Sequence, residues 1–156
     1  MENASKALVM AGGVLIGILI LSLAVYLFVD FGSTAAKINE QNAQQQIVEF
    51  NSKFTSYQGY KDKNEKWQIT IYDIISLSGY AKENNEYYDG IDDEQIDVII
   101  TNGSLNSNIA NSNYTIDYES LISTYTETNG DLTKFEYLGV TLNNRGKVKQ
   151  IKFKAL

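Results

Sequence analysis

Apolar residues are concentrated near the beginning of the chain. The stretch from Leu8 to Phe31 is interrupted only by Ser22 and Asp30. A helix of this length can cross the roughly 30 Å hydrocarbon core of a bilayer once. The residues that follow are too polar for a second span, so the pattern predicts an N-terminal tail and a single transmembrane helix within residues 1–31.

A cleavable secretory signal is the alternative interpretation of this stretch. Such a signal has a shorter apolar region of roughly 7–15 residues, a more basic start and a small-residue cleavage site. Ser33-Thr34-Ala35 offers a site of that kind, so removal of the helix stays open. In an uncleaved chain, Lys6 before the span and Asp30 at its end favour a cytoplasmic N-terminus. We therefore expect a protein anchored in membrane lipid, with its head outside the cell.

A polar, helix-forming segment follows the apolar stretch without any proline to interrupt it. We expect the helix to continue as a stalk over residues 32–56. Four apolar residues near its end recur at spacings of three, four and three, which places them on one stripe of a helix. They are Ile47, Phe50, Phe54 and Tyr57. This stripe requires a packing partner, and we expect a head domain over residues 57–156.

The first element predicted in the head is a second helix, over about residues 71–84. Thr70 followed by Asp73 has the spacing of a capping box, which marks a helix start. The β-branched residues there leave a strand over Trp67 to Ile75 as the alternative. A further short helix is predicted over residues 117–127, where the threonines and tyrosines again leave a strand possible.

Strand signals occupy the rest of the head. Ile96 to Thr101 reads as a strand closed by an Asn102-Gly103 turn, and residues 105–113 read as a loop. Residues 134–142 and 147–154 alternate on either side of an Asn-Asn-Arg-Gly turn, which predicts a β-hairpin. The alternation slips near Lys149, which indicates a bulge. The predicted inward side of the first hairpin strand consists of Leu138, Val140 and Leu142. These elements predict an α+β head with an antiparallel sheet and one or two short helices.

Composition restricts the chemistry that the head can perform. The chain has no cysteine, histidine or proline, and its net charge is −6. Without histidine or cysteine, and with no recognisable setting for a serine or lysine nucleophile, we expect no enzyme activity and no cofactor. The negative charge argues against nucleic acid as a partner. The sequence does not indicate a small-molecule ligand.

Acidic and basic residues form two separate clusters in the head. The acidic cluster lies within residues 86–97, but its spacing differs from a calcium-binding loop because Asn85 and Tyr87 occupy ligand positions. We therefore interpret it as a solvated loop and leave calcium open. The basic cluster consists of Arg145, Lys147, Lys149, Lys152 and Lys154. Lysines along a strand often protect an exposed sheet edge. The alternative is that they contact the acidic cluster of a neighbouring copy.

The border of the apolar stretch carries a more specific signal. Lys6-Ala7-Leu8 sets a charged residue, a small residue and the apolar run in the order of a class III signal. The first 55 residues thereby resemble type IV pilin-like subunits, although Gly12 stands where that family usually has a glutamate. The resemblance implies processing before Leu8 and a helix whose second half packs on a small sheet-containing head. It also implies assembly into a filament.

Small residues offer a face for such assembly. Gly13 and Gly17 form a GxxxG pattern, which allows helix backbones to approach closely in lipid. We therefore expect a non-enzymatic cell-surface subunit that associates with copies of itself through its apolar helix. The alternative is a stand-alone, single-pass anchored module whose extracellular head binds a partner.

Overall fold

The computed structural model describes residues 2–103, 105–110 and 117–156. The chain divides into two compact units, residues 1–45 and residues 46–156. Seven elements follow one another along the chain: α1 (Glu2–Thr55), α2 (Ile71–Tyr87), β1 (Asp97–Asn102), β2 (Leu105–Asn108), α3 (Tyr118–Thr124), β3 (Phe135–Leu142) and β4 (Val148–Ala155). The first unit is the larger part of α1. The second unit contains the last turns of α1 and the whole head.

The predicted apolar helix and its continuation form one element, α1, of 54 residues. It passes through Gly32-Ser33 without interruption. It is long and apolar enough to cross a membrane, and none of its most apolar window is buried. Large apolar side chains are exposed along the whole stretch, from Leu8 at 78% to Phe31 at 69%. Among the described residues, the large apolar side chains of this stretch thus form one continuous exposed surface.

A four-stranded sheet in the order β2-β1-β4-β3 organises the second unit. The outer pairs, β1 with β2 and β3 with β4, are antiparallel, whereas the central pair of β1 and β4 is parallel. Val98 lies opposite Ile151, and Ile100 lies opposite Phe153. The α+β class is confirmed, but the expectation of a wholly antiparallel sheet is corrected to a mixed one. Local alternation predicts strands without specifying the direction in which distant strands pair.

One face of the sheet is covered by helices and forms the core. The end of α1 contributes Phe54, and α2 contributes Ile71, Ile74 and Leu77, all at most 1% exposed. Phe50 and Tyr57 pack against the same core and are partly buried. The predicted stripe on the last turns of α1 is therefore confirmed as a packing face. Burying a side chain as large as Phe54 contributes roughly 1.5–3 kcal/mol to folding.

The opposite face of the sheet is polar. Ile151 and Phe153 point into the core, so Lys152 and Lys154, which alternate with them, point to the other face and are exposed. The interpretation of the β4 lysines as edge protection is wrong, because β4 lies between β1 and β3 rather than at an edge. They occupy the solvent side of a central strand.

The predicted hairpin is confirmed, with two irregularities. Lys149 is skipped between the pairs Thr141 with Gln150 and Leu142 with Val148, which places a bulge where the sequence predicts one. A second shift lies at Leu138, next to Gly139, whose φ of 118° favours glycine. Before this shift Phe135 and Tyr137 face the core, and beyond it Val140 does. Leu138 lies at this shift, and Leu142 lies at the other one, at the end of the strand. Both are exposed, at 49% and 54%, so their predicted inward positions are wrong, whereas Val140 packs against the core as predicted.

The helix predictions hold. Thr70 donates its backbone N–H to the Asp73 carboxylate at 2.8 Å, as a capping box requires, and α2 begins at the next residue. Asp117 accepts the backbone N–H of Ser120 at 3.1 Å and begins α3. The strand alternatives at both places are wrong.

One loop prediction is overturned. Leu105–Asn108 forms β2, because the Asn102-Gly103 turn reverses the chain and lets these polar residues pair with β1. Residues 111–113 of the predicted loop lie outside the described residues.

Candidate functional site

The last turns of α2, the end of α1 and the start of β4 meet at one place in the head. The face of α2 that buries Leu77 and Ala81 continues into Asn84 and Asn85, which are 8% and 2% exposed. Two adjacent amides are thus buried where helical periodicity calls for apolar residues. Buried amides need hydrogen-bond partners, and the side chains of both asparagines have them.

A buried ion pair lies beside Asn84. Lys147 donates from Nζ to Asn84 Oδ1 at 2.7 Å and to Glu94 Oε2 at 3.2 Å. Arg145 donates to the other carboxylate oxygen, Glu94 Oε1, at 2.8 Å. The side chains of Lys147 and Glu94 are 11% and 8% exposed. One buried carboxylate is therefore held between two cations. We call Asn84, Glu94 and Lys147, together with Arg145, whose own side chain is 65% exposed, the buried cluster.

Two aromatic rings enclose the buried cluster. Lys147 Nζ lies 4.7 Å from the ring centroid of Phe50 and 4.3 Å from that of Tyr88. Such contacts stabilise a desolvated ammonium group through the negative ring face. The lysine therefore lies between α1 and α2 with its charge almost wholly shielded from water. It is bound by groups that are distant along the chain.

Asn85 has a different role, since it joins backbone segments. Its side-chain oxygen accepts the N–H of Ile96 at 2.7 Å. Its Nδ2 donates to the carbonyl groups of Ile96 at 2.8 Å and Ala110 at 3.0 Å. These bonds fix the start of β1 against α2. Across the described residues, no buried side-chain nitrogen or oxygen lacks a partner.

An aromatic groove of about 290 Å³ opens next to the buried cluster. Its lining consists of Phe50, Lys53, Tyr80, Glu83, Asn84, Tyr87 and Tyr88. Lys53 Nζ lies 4.8 Å from the Tyr80 ring centroid, and Tyr87 is 81% exposed. Aromatic rings that combine with one cation and one carboxylate can contact a peptide or another amphipathic group.

The basic residues for which contact with another copy was the alternative interpretation mostly have partners in their own chain. Arg145 and Lys147 pair with Glu94, and Lys149 pairs with Asp93 at 3.3 Å. The acidic and basic clusters thus meet within one head. Lys147 is buried, which excludes it as a surface contact, whereas Lys152 is exposed on the open face of the sheet. Among the residues that the structure describes, no group of three acidic side chains could hold a metal ion.

The predicted residues of the apolar helix all lie on its surface. Lys6 donates to Glu2 at 2.9 Å within the first turns, and Ala7 and Leu8 follow it as exposed helical residues. A methyl group added at Gly13 or Gly17 would meet no atom within 4 Å. Within the described residues, the space beside both glycines is therefore open.

No protein-family model, curated protein or solved structure matches this chain. Its assignment therefore depends on its own residues. The sequence interpretation missed Asn84, Asn85 and Glu94. One signal could have indicated the two asparagines, because they continue the apolar side of α2 at the next helical turn after Ala81.

Proposed function

We propose that this protein is a non-enzymatic, membrane-anchored surface subunit that associates with copies of itself through α1, in the manner of pilin-like subunits. One observation carries the proposal: every large apolar side chain from Leu8 to Phe31 is exposed. A contiguous apolar surface of this size is unfavourable in water and requires lipid or other protein around it.

The packing of the last turns of α1 supports the pilin-like form of the proposal. Phe54 is fully buried in the core, and Phe50 packs against that core. The end of the helix is therefore an integral part of the head. A helix that begins apolar and ends as part of a small sheet-containing head is the form that the Lys6-Ala7-Leu8 signal implies.

The glycine face supports self-association. Gly13, Gly17 and Ala24 are separated by four and seven residues, so they share one side of a helix with 3.6 residues per turn. All three are small, and the glycines have open space beside them. In lipid, helices associate through close backbone packing at such small residues.

A single-cysteine cross-linking experiment tests the association, because the chain contains no cysteine of its own. Ala24→Cys places a thiol on the glycine face without altering either glycine. Ser22→Cys is the matched control at nearly the same depth, about half a turn away. In membranes, oxidation should cross-link Ala24→Cys into dimers and leave Ser22→Cys monomeric. Equal cross-linking of both variants, or of neither, would contradict packing through this face.

The aromatic groove favours a second candidate, an anchored module whose head binds a partner. Its rings, Lys53 and Glu83 provide a mixed apolar and charged surface. A full chain that remains monomeric in membranes and after gentle detergent extraction would favour this candidate. A homogeneous assembly of several copies favours the subunit.

A further inference from the structure

The buried cluster contains a nucleophile next to an electrophile. We propose that Lys147 and Asn84 join covalently, forming an isopeptide bond between Nζ of the lysine and Cγ of the asparagine with Glu94 as the proton acceptor. This inference is independent of the function proposed for α1, because all three residues belong to the second unit.

The geometry brings the reacting atoms together before any reaction. Lys147 Nζ is 2.7 Å from Asn84 Oδ1, which places the amine beside the amide carbon bonded to that oxygen. Reacting groups held at roughly 3–3.5 Å in a fixed orientation gain a large rate advantage over free groups. Asn84 is fixed further because its Nδ2 donates to the backbone carbonyl of Glu94 at 2.7 Å.

Glu94 is placed to move the protons. Its Oε2 lies 3.2 Å from Lys147 Nζ and accepts a proton from the ammonium, which leaves a neutral amine. The amine lone pair attacks Asn84 Cγ, and the carbon–Nδ2 bond breaks as the new carbon–Nζ bond forms. Nδ2 takes up the proton that Glu94 holds and leaves as ammonia. The ammonia then takes up the second proton that the lysine nitrogen loses and becomes an ammonium ion. The products are one secondary amide and one ammonium ion, so atoms and charge balance without any oxidant or co-reactant.

Arg145 explains how the cluster tolerates the change of charge. Once Lys147 is part of an amide, its positive charge is lost, and a buried carboxylate without a partner would be costly. The Arg145 guanidinium already contacts Glu94 Oε1 at 2.8 Å and remains in place. The rings of Phe50 and Tyr88 lie 4.7 and 4.3 Å from Lys147 Nζ and hold the amine in place beside Asn84.

The neighbouring candidates lack this combination. Lys149 is 43% exposed on its side chain, and its partner is Asp93. The amide of Asn85 is occupied by backbone groups of Ile96 and Ala110. Within the described part of the head, the lysine, the amide and the carboxylate thus come together at Asn84. The bond would join α2 to the start of β4 in a chain that has no disulfide.

Mass spectrometry of the folded, full-length protein after prolonged incubation tests the proposal. Formation of the bond releases one ammonia, so the intact mass should fall by about 17 Da. Trypsin should then fail to cleave after Lys147, and a branched peptide should link residues 83–134 with residues 146–149. The branched peptide distinguishes this bond from loss of ammonia elsewhere.

Two variants complete the test. Lys147→Arg and Glu94→Gln should each retain the mass expected from their own sequence, the first because it lacks the amine and the second because it lacks the proton acceptor. Lys149→Arg, the matched control, should still lose about 17 Da. If the unaltered protein keeps its full mass and trypsin cleaves after Lys147, the cluster is a buried ion pair only. If either variant fails to fold, the mass and peptides of the unaltered protein still decide the question.

Discussion

Asn51 on the last turns of α1 holds the first residue of β4, Val148, by a direct hydrogen bond. The Val148 backbone N–H donates to Asn51 Oδ1 at 2.8 Å. The same side chain donates from Nδ2 to the Gly146 carbonyl at 2.7 Å. One amide therefore satisfies both polar groups of the backbone where the hairpin turn enters the central strand. It ties the end of the long helix to the middle of the sheet.

Replacement of Asn51 by alanine should destabilise the head without changing its fold. Two part-buried backbone groups would lose their partners, at a cost of about 1–3 kcal/mol each when no water replaces them. Chemical denaturation followed by near-ultraviolet circular dichroism measures the change. Ser52→Ala, next to it on the exposed side of α1, is the control and should change stability by less than about 0.5 kcal/mol. Equal stability of the two variants would contradict the role of Asn51.

Charge reversal should change the free energy of unfolding very differently at Lys147 and at Lys152, although the sequence places both in one basic cluster. Lys147→Glu places a second carboxylate beside buried Glu94 and should cost about 3–5 kcal/mol or more, because the charge pair is broken and replaced by repulsion. Lys152→Glu alters an exposed position and should leave the free energy of unfolding almost unchanged. Urea denaturation of both variants makes the comparison. A stable, folded Lys147→Glu head would show that the buried cluster does not hold the hairpin.

Replacement of both Gly13 and Gly17 by leucine should weaken self-association and leave membrane insertion intact. Leucine is at least as apolar as glycine, but its side chain keeps the helix backbones apart. Size-exclusion chromatography in mild detergent measures the assembly, and carbonate extraction of membranes measures insertion. The control exchanges Leu15 and Leu19, on the opposite side, for isoleucine. If the glycine variant assembles to the same size as the unaltered protein, the helices do not pack through the Gly13 and Gly17 face.

The orientation of the protein can be measured with a membrane-impermeant maleimide on intact cells. Lys63→Cys places a thiol on an exposed loop of the head, and Ala4→Cys places one before the apolar stretch. We expect labelling of Lys63→Cys alone, because the charge distribution around the span favours a cytoplasmic N-terminus. Permeabilised cells should label both variants. The reverse pattern in intact cells would invert the proposed topology.

The alkaline stability of the head should depend on Tyr125. Burial raises the pKa of this phenol above its ordinary value of about 10. Because the folded state favours the neutral form, the stabilisation is complete below about pH 10 and is lost as the pH rises through the higher folded pKa. Tyr125→Phe removes the ionisation and should move the alkaline unfolding midpoint to higher pH. Tyr72→Phe, at a 52% exposed residue, should leave the midpoint in place.

Local patterns in the sequence predict the separate elements of this fold well. The capping residues Thr70 and Asp73, the hairpin turn and the slip at Lys149 all act over a few residues, and each lies where the sequence indicates. β2 escaped prediction because Leu105–Asn108 is mostly polar and becomes a strand by pairing with β1. The exposure of Leu138 was not predicted because a bulge interrupts an otherwise regular alternation.

The buried cluster could not be predicted because its members are distant in sequence. Lys147 lies 63 positions from Asn84 and 53 from Glu94. Nothing in the local pattern around any of them shows that the three will meet. As separate residues, a lysine at a strand start and a glutamate in an acidic loop both predict solvent exposure. Only the parallel pairing of β1 with β4 brings them to the same end of the sheet.

The position of β4 also determines when the head can fold during synthesis. β4 follows β1, β2 and β3 along the chain, yet it lies between β1 and β3 in the sheet. Until it leaves the ribosome, β1 has β2 on one side but lacks its parallel partner, and β3 lacks the strand beside it in the described sheet. Long-range pairing of this kind is slow and exposes strand edges while it waits. The apolar helix thus emerges before the head, and the sheet of the head is completed only after its central strand arrives.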